Sequence, residues 1–505
     1  MLQLLFTWIA LLSSAWAAGP RARMRLRSDE PAPIRGISLG GWLVTEPFIT
    51  PSLYTIAVSE VNGSQPIVDE YTLCQYLGYP EAKRLLSNHF RTFVLERDFR
   101  EISKNGFNLV RIPIGYWAWK KDASSVYEFA THTSRAQNVT IAHDDPYVSD
   151  GLQLEYLNKA VKWARKHNLK VLVDLHGAPG SQNGFDNSGQ RNLYGKPQFL
   201  ADETSARIMY SAALSLYEKL RGEWDGTVVG VEIVNEPLAS KIGLDKVLSF
   251  YYESLELFAQ NYTSQQQFVI HDAFEPVGFW DKHFNAGFRN VSSRYTNATQ
   301  RFYEATSQVL VDHHYYQVFT DVELNQSAAE RVSAALSYGQ SLASESHAAV
   351  VGEWSGAITD CAKYVNGFGI GSRFDGTYYR STNITSSIIS ASAPLGRCTS
   401  YLDISNWPED YKTEVQQFIE AQLVAYSNAT RGWIFWNWKT ESAPEWDFKK
   451  LSSAGLFPKP FDNYKYFYSN GSQIDENALQ GGCARTGTSW LATALLAAAV
   501  VLCAT

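Results

Sequence analysis

The sequence predicts an α/β chain folded as one (β/α)8 TIM barrel with long loops at the carboxyl-terminal face of its strands. Three observations carry this. Eight short segments rich in Val, Ile, Leu and aromatics recur along the chain, amphipathic helical patterns separate most of them, and polar groups gather at their carboxyl ends. Near-continuous apolar strands alternating with amphipathic helices mean a parallel sheet covered on its faces. Eight such units suggest closure, and closure brings all eight carboxyl ends to one mouth. An open doubly wound sheet is the competing architecture, but no Gly-x-Gly-x-x-Gly turn follows the first strand to support a dinucleotide site.

Taken in order, Ile34 to Leu43 is the first strand, and Asn108 to Trp117, the second, carries Arg111. Leu169 to His176 is the third, and Val228 to Glu236, the fourth, closes on Asn235-Glu236. Phe268 to Ala273 carries His271-Asp272, and Val309 to Tyr316 carries His313-His314. Ala349 to Glu353 closes on its acid, and Gly432 to Trp438 holds Trp436. Between them, Leu152 to His167 places Leu154, Leu157, Val161 and Ala164 at three- and four-residue steps, with Asp150 available to cap the start. Thr204 to Leu220, Leu244 to Ala259, Ala328 to Leu342 and Tyr411 to Tyr426 repeat that pattern.

The ends differ in kind from the middle. Residues 1–17 form an apolar stretch ending in Ala15-Trp16-Ala17, which reads as a secretory signal peptide although its start lacks Lys and Arg. Residues 18–33 read as a basic arm or propeptide and 34–470 as the barrel domain. Residues 471–505 read as a polar spacer followed by a removed glycolipid (GPI) anchor signal, because the apolar tail is short for a membrane span and no basic cluster follows it. Nine sequons, at Asn62, Asn138, Asn261, Asn290, Asn297, Asn325, Asn383, Asn428 and Asn470, agree with export to the outer cell surface or cell wall. Five cysteines allow one or two bridges in an oxidising compartment. Cys361 and Cys398, near the two ends of the long polar loop after Glu353, are expected to pair. A net charge of -7 argues against a nucleic-acid partner. Aromatics make up 14% of the chain, with 15 Trp and 28 Tyr, and such rings stack on the C–H faces of sugars as well as filling cores.

Two glutamates then need explaining. Glu236 and Glu353 each follow a Val/Ile-rich run, where an ionised carboxylate is costly to bury unless it is paired or hydrogen-bonded. Either alone reads as a rim charge or a helix N-terminal acid. Together they suit glycoside hydrolysis, which needs one carboxyl to donate a proton and another to attack or to activate water. Asn235 is placed to bond a sugar 2-OH, and Arg111 to hold a glutamate ionised or to serve as a structural ion pair. His176 and His314 are candidates for binding hydroxyls or orienting the acids, and Tyr316 for contacting the attacking carboxylate. The adjacent His313 and His314 must point to opposite sides of their strand, so at most one faces the pocket. No His-Glu-x-x-His or clustered-cysteine pattern is present, so no metal and no cofactor is assigned, and no serine nucleophile is assigned either.

Asn235-Glu236-Pro237-Leu238, Gly352-Glu353-Trp354-Ser355 and the run Arg111 to Trp117 resemble glycoside hydrolase family 5. Asp174 to Gly189, Gly40 to Pro47, Asp312 to Phe319 and Trp436 to Glu441 resemble, more narrowly, its fungal exo-β-1,3-glucanases. These matches run in the family's order from about Ile34 to Phe457. The resemblance implies Glu236 as acid/base and Glu353 as nucleophile of a retaining mechanism. It also implies that Glu46, Asp186 and Trp436 contact the non-reducing-end sugar, and that Phe185 and Phe319 flank the entrance to the acceptor sites. Leu336 stands where the family often carries a cysteine that pairs near the C-terminus, so Cys483 lacks that partner. Residues 126–143 and 285–308 look like insertions. The expected activity is release of glucose from non-reducing ends of a β-glucan polysaccharide or oligosaccharide by a monomer, with transglucosylation as a second outcome. A β-glucosidase acting on β-1,6-glucan or a glucosylated lipid, and a non-catalytic carbohydrate-binding protein, are the competing readings.

Overall fold

The computed structural model describes residues 32–119, 145–192, 195–262, 266–284, 300–382 and 394–474. The expected leader, nearly all of the basic arm and the apolar tail lie outside these residues. So do Asn138, Asn290, Asn297, Asn383, Cys483 and most of both expected insertions.

Eight strands close on themselves in sequence order: β1 (Ile34–Ser38), β2 (Leu109–Gly115), β3 (Lys170–Gly177), β4 (Val228–Glu232), β5 (Gln267–His271), β6 (Val309–His314), β7 (Ala348–Glu353) and β8 (Gly432–Phe435). Every pairing is parallel, and β1 returns to β8. β2 is buried along its whole length and β3 exposes only Lys170, the reason these strands read as continuous apolar runs. Inside the barrel, Leu109, Leu172, Val269, Leu310, Val350 and Ile434 form a cluster of their own that fills the floor. Two residues further along, on the same face of their strands, stand Arg111, Asp174 and Asp312. The lumen therefore changes from apolar to ionic within one pleat repeat, just below the mouth.

The helices Leu152–Lys166, Glu203–Leu220, Leu244–Asn261, Ala328–Leu342 and Glu409–Ala429 lie within a few residues of the predicted spans. Gly151 in a left-handed conformation caps the first of them, and Asp150, one residue earlier, accepts the Leu152 N–H at 3.0 Å. Four helices between β1 and β2 went unpredicted: α1 (Pro51–Glu60), α2 (Glu70–Leu77), α3 (Tyr79–Thr92) and α4 (Glu96–Lys104). Their signal was present. In α3, Ala82, Leu85, Leu86, His89 and Phe90 are the buried face, spaced at three and four residues. Counting the Leu152–Lys166 helix as α5, α3 and α5 pack side by side on the barrel.

Several strands are shorter than predicted. β4 ends at Glu232 rather than Glu236, β6 at His314 rather than Tyr316, and β8 at Phe435 rather than Trp438. The residues beyond the last ladder pair turn into the mouth, which releases their side chains from strict alternation. Cys361 and Cys398 are disulfide-bonded with Cα atoms 5.0 Å apart, as expected, and the bridge spans 37 residues of the loop after β7. Within that loop Asp360 accepts from the backbone N–H groups of Arg373 at 2.7 Å and Phe374 at 3.0 Å, folding the segment back onto the barrel. Among the described residues no helix is long and apolar enough to cross a membrane.

Candidate active site

Glu353 ends β7, where the register shift at His313/His314 sets His314 directly opposite it. Its Oε1 accepts from Arg111 Nη1 at 2.7 Å and its Oε2 from Tyr316 OH at 2.9 Å. Gly352 precedes it for a steric reason: a Cβ there would lie 2.0 Å from Asp312 Oδ2, and the Gly352 N–H instead donates to Asp312 Oδ1 at 2.7 Å.

Glu236 lies four residues beyond β4 at φ +46°, a left-handed conformation that costs a residue with a Cβ about 1 kcal/mol. His314 Nδ1 donates to its Oε1 at 2.7 Å and Asn187 Nδ2 to its Oε2 at 2.8 Å. The same His314 nitrogen is 3.5 Å from Glu353 Oε2. Two carboxylate oxygens that share one nitrogen at those distances lie closer together than the roughly 6.5 Å at which the inverting arrangement begins.

Arg111 joins this pair to the barrel lumen. Beyond Glu353 it donates from Nε to Glu232 Oε2 at 2.9 Å and from Nη2 to Asn235 Oδ1 at 2.8 Å, and it lies 3.2 Å from Asp174 Oδ2. Asp174 in turn accepts from His176 Nδ1 at 2.6 Å, and the His176 ring stacks on Trp436 with centroids 5.6 Å apart. Gly40 makes room for that indole, since a Cβ there would come within 2.5 Å of it. The structure thus gathers Arg111, His176, Asn235, His314, Tyr316 and Trp436 around the two glutamates. Glu46 and Asp186 complete the acidic wall, each with one buried carboxylate oxygen that has no protein partner: Oε1 of Glu46 and Oδ2 of Asp186. The Asn235 Nδ2 amide and the His176 Nε2 are likewise buried and unpartnered. Polar groups in this state bind a polyhydroxylated ligand well. Phe185 and Phe319 are 38% and 40% exposed, the Phe319 ring standing edge-on to Tyr316.

Burial drives the carboxyl pKa values here upward, and neighbouring charges decide where they end. Burial, followed by the fields of Glu353 and Asp186, puts Glu46 well above the carboxylate range, and burial lifts Asp186 to about 7. For Glu236 burial is outweighed by the His314 hydrogen bond and by the His314 and His271 charges, which bring it down to about 2. Glu353 stays raised: burial prevails over His314 and Arg111, and the Glu236 charge adds to it. His314 is burdened by burial but held well above 6.5 by Glu353, Asp312 and Glu236, so its imidazole carries the proton.

Asn187, Asp174, Glu232 and Asp312 escaped the sequence reading as site residues, and His271 was placed at the mouth without a role. Asp174 and His176 were recoverable as an i, i+2 pair on one strand face, as were Asp312 and His314. Asn187 was not, because its contact with Glu236 depends on the fold of the loop after β3. Glu236, His271 and His314 also bring possible metal-ligating atoms within 4.8 Å of one another. Hydrogen bonding opposes that use. His271 Nδ1 accepts the Ala273 N–H at 3.0 Å, which leaves the proton on Nε2, and His314 Nδ1 is committed to Glu236.

His313 points the other way, as adjacent strand residues must. Its ring is clamped between Asp272 Oδ2 at 2.8 Å and Glu345 Oε2 at 2.9 Å, and although burial lowers its pKa, those two acids lift it to about 9. A histidine whose folded pKa is raised stabilises fully below its unfolded value of 6.5 and loses that contribution as pH rises through 9. Thermal stability is therefore expected to fall between these limits, by about 3 kcal/mol from this group. Melting curves of the parent and His313→Gln proteins across that window check it, and parallel pH profiles would refute the assignment.

A parallel eight-stranded barrel with paired carboxylates at its mouth, ringed by aromatic and unsatisfied polar groups, is the architecture of a glycoside hydrolase. The family model described as Cellulase (glycosyl hydrolase family 5) matches residues 78–368, and the chain belongs to that family. It is 49% identical to "Glucan 1,3-beta-glucosidase 2" of Saccharomyces cerevisiae, over 87% of this chain and 77% of that one. It is 41% identical to "Glucan 1,3-beta-glucosidase" of Kluyveromyces lactis, over 91% and 96%. Among solved structures, rutinosidase from Aspergillus niger shares the fold at a TM-score of 0.56 and 16% identity, covering 85% of this chain and 98% of that one.

Proposed function

We propose that this chain is an exo-acting, retaining β-1,3-glucanase that releases glucose from the non-reducing ends of β-1,3-glucan. The observation that carries the reading is the pair of glutamates meeting at one His314 nitrogen, in a chain whose relatives bear the name glucan 1,3-beta-glucosidase. Glu353, held by the permanently charged Arg111 and a phenol, is the nucleophile: its oxygen forms a bond to the anomeric carbon as the glycosidic oxygen leaves. Glu236, whose partner is a titratable imidazole, is the acid/base. The proton that rests on His314 crosses their 2.7 Å hydrogen bond to Glu236 and passes to the leaving oxygen. The Arg111 charge does not move in that transfer and goes on lowering the Glu353 pKa at the moment of attack. In the second step Glu236 takes a proton from water, or from a glucan hydroxyl in transglucosylation, and the glycosyl ester breaks with net retention. Glu46 and Asp186 bind hydroxyls of the terminal sugar, Trp436 stacks beneath it, and Phe185 and Phe319 flank the next unit.

The test is digestion of laminarin with the product anomer followed by NMR. β-Glucose is expected as the first and dominant product. α-Glucose, or a ladder of internal oligosaccharides, would refute retention or exo action respectively. We further propose that export and a glycolipid anchor place the enzyme on the outer cell surface, supported by the apolar ends and the sequons. Phosphatidylinositol-specific phospholipase C should then release activity from intact cells. Retention of activity on washed membranes together with peptides from the apolar tail would contradict the anchor.

A further inference from the structure

We propose that the seam between α3 and α5 is a second, non-catalytic groove that binds a neutral β-glucan chain. It rests on the reading above for the class of ligand. A hollow of 700 Å³ lies along that seam, and one of 680 Å³ between the end of α2 and residues 145–150 adjoins it, sharing Asp150. Lys83, Asn88 and Tyr156 line the first, and Tyr79 and Ser149 line the second. None of these residues belongs to the carboxylate cluster at the barrel mouth. Two hollows in succession suit a linear chain better than a compact ligand.

The lining groups suit sugar. Tyr79, the first residue of α3, leaves 49% of its surface in solvent, a ring on which the C–H face of a glucose unit can stack. The charge pattern then selects among polar ligands. Lys83, Arg84 and Arg91 on one helix would by themselves suggest an anion. Lys83 Nζ, however, lies 2.9 Å from Asp150, Arg84 engages both Glu60 and Glu81, and Arg91 donates to Asn88 Oδ1 at 2.7 Å. Glu155 adds a further carboxylate to the wall. Lys83 and Arg84 are ion-paired, and Glu155 offsets Arg91, whose own partner Asn88 is neutral, so the groove offers donors and acceptors of both kinds with little net charge, which favours a neutral polyhydroxylated chain over a phosphate. A polymer held there is kept close to the enzyme while its free end is processed, an effect of local concentration that short substrates do not feel.

The experiment measures binding of the full chain carrying Glu353→Gln, which separates binding from turnover, to insoluble β-1,3-glucan. Tyr79→Ala and Asn88→Ala are placed singly in that background. Each is expected to weaken adsorption by about five-fold, the scale of one lost stacking or hydrogen-bonding contact. In the otherwise unaltered enzyme, the same substitutions should lower kcat/KM on long laminarin while leaving laminaritriose hydrolysis unchanged. Adsorption that survives both substitutions would overturn the groove and leave the catalytic reading standing. Adsorption abolished by raised salt would overturn it in favour of an anionic ligand. If the enzyme fails on laminarin altogether, the catalytic reading falls, and the adsorption arm still decides the groove independently.

Discussion

Replacing Glu353 by Gln is expected to abolish turnover, with kcat falling by roughly four orders of magnitude or more, the scale on which loss of a covalent nucleophile is felt. The amide keeps the shape of the carboxyl but cannot form the glycosyl ester. It also turns an acceptor that serves two donors, Arg111 and Tyr316, into a group with only one accepting atom. Glu236→Gln is expected to cost about 10² to 10⁴-fold on natural glucan, the range of general acid catalysis. The two variants part on substrate. An aryl glucoside whose leaving group departs without protonation should restore glycosylation in Glu236→Gln and do nothing for Glu353→Gln. This comparison matters because the fields of the protein groups make Glu236 the more acidic carboxyl. If Glu353→Gln were the variant rescued, the roles would have to be exchanged.

Arg111→Met is expected to destabilise the fold by about 3 to 5 kcal/mol and to remove activity as well. Asp174 and Glu232 are directly opposite one another across β3 and β4, both fully buried, with the guanidinium between them. Taking out the cation leaves like charges facing each other in the lumen. Burial already pushes Glu232 well above the ordinary carboxylate range, with Asp174 adding to it and Arg111 opposing. Glu353 loses its ionic partner in the same change, so its pKa should climb further and the fraction able to attack should shrink. Arg111→Lys separates the two effects. It retains the charge without the fork that reaches Glu232, Asn235 and Glu353 together, so it should recover more stability than activity. Denaturant unfolding followed beside kcat gives both readings. A loss of stability below about 1 kcal/mol in Arg111→Met would mean that the lumen carboxyls are protonated and need no counter-charge.

The barrel was legible because burial on both faces makes a parallel strand apolar throughout, a property local enough to be read in a few residues such as Val110 to Ile114 or Val171 to Leu175. Glu236 and Glu353 stood out for the same reason, as acids following such runs, and the disulfide because two cysteines bracket one loop. Tertiary structure decided what those acids touch. A one-residue register shift between β6 and β7 brings His314 opposite Glu353, and a left-handed turn at Glu236 carries its carboxyl to the same imidazole. Neither a ladder shift nor a loop contact such as Asn187 to Glu236 leaves a periodic trace in sequence. The ionic layer of Asp174, Glu232 and Asp312 is likewise invisible from any single strand, since its meaning lies in charges brought together from separate strands and in the low-dielectric interior that makes their pairing with Arg111 and His314 strong. Sequence alone determined the fold and the chemical kind of the site; closure of the barrel determined which proton sits where, because pKa values follow distances that only packing sets.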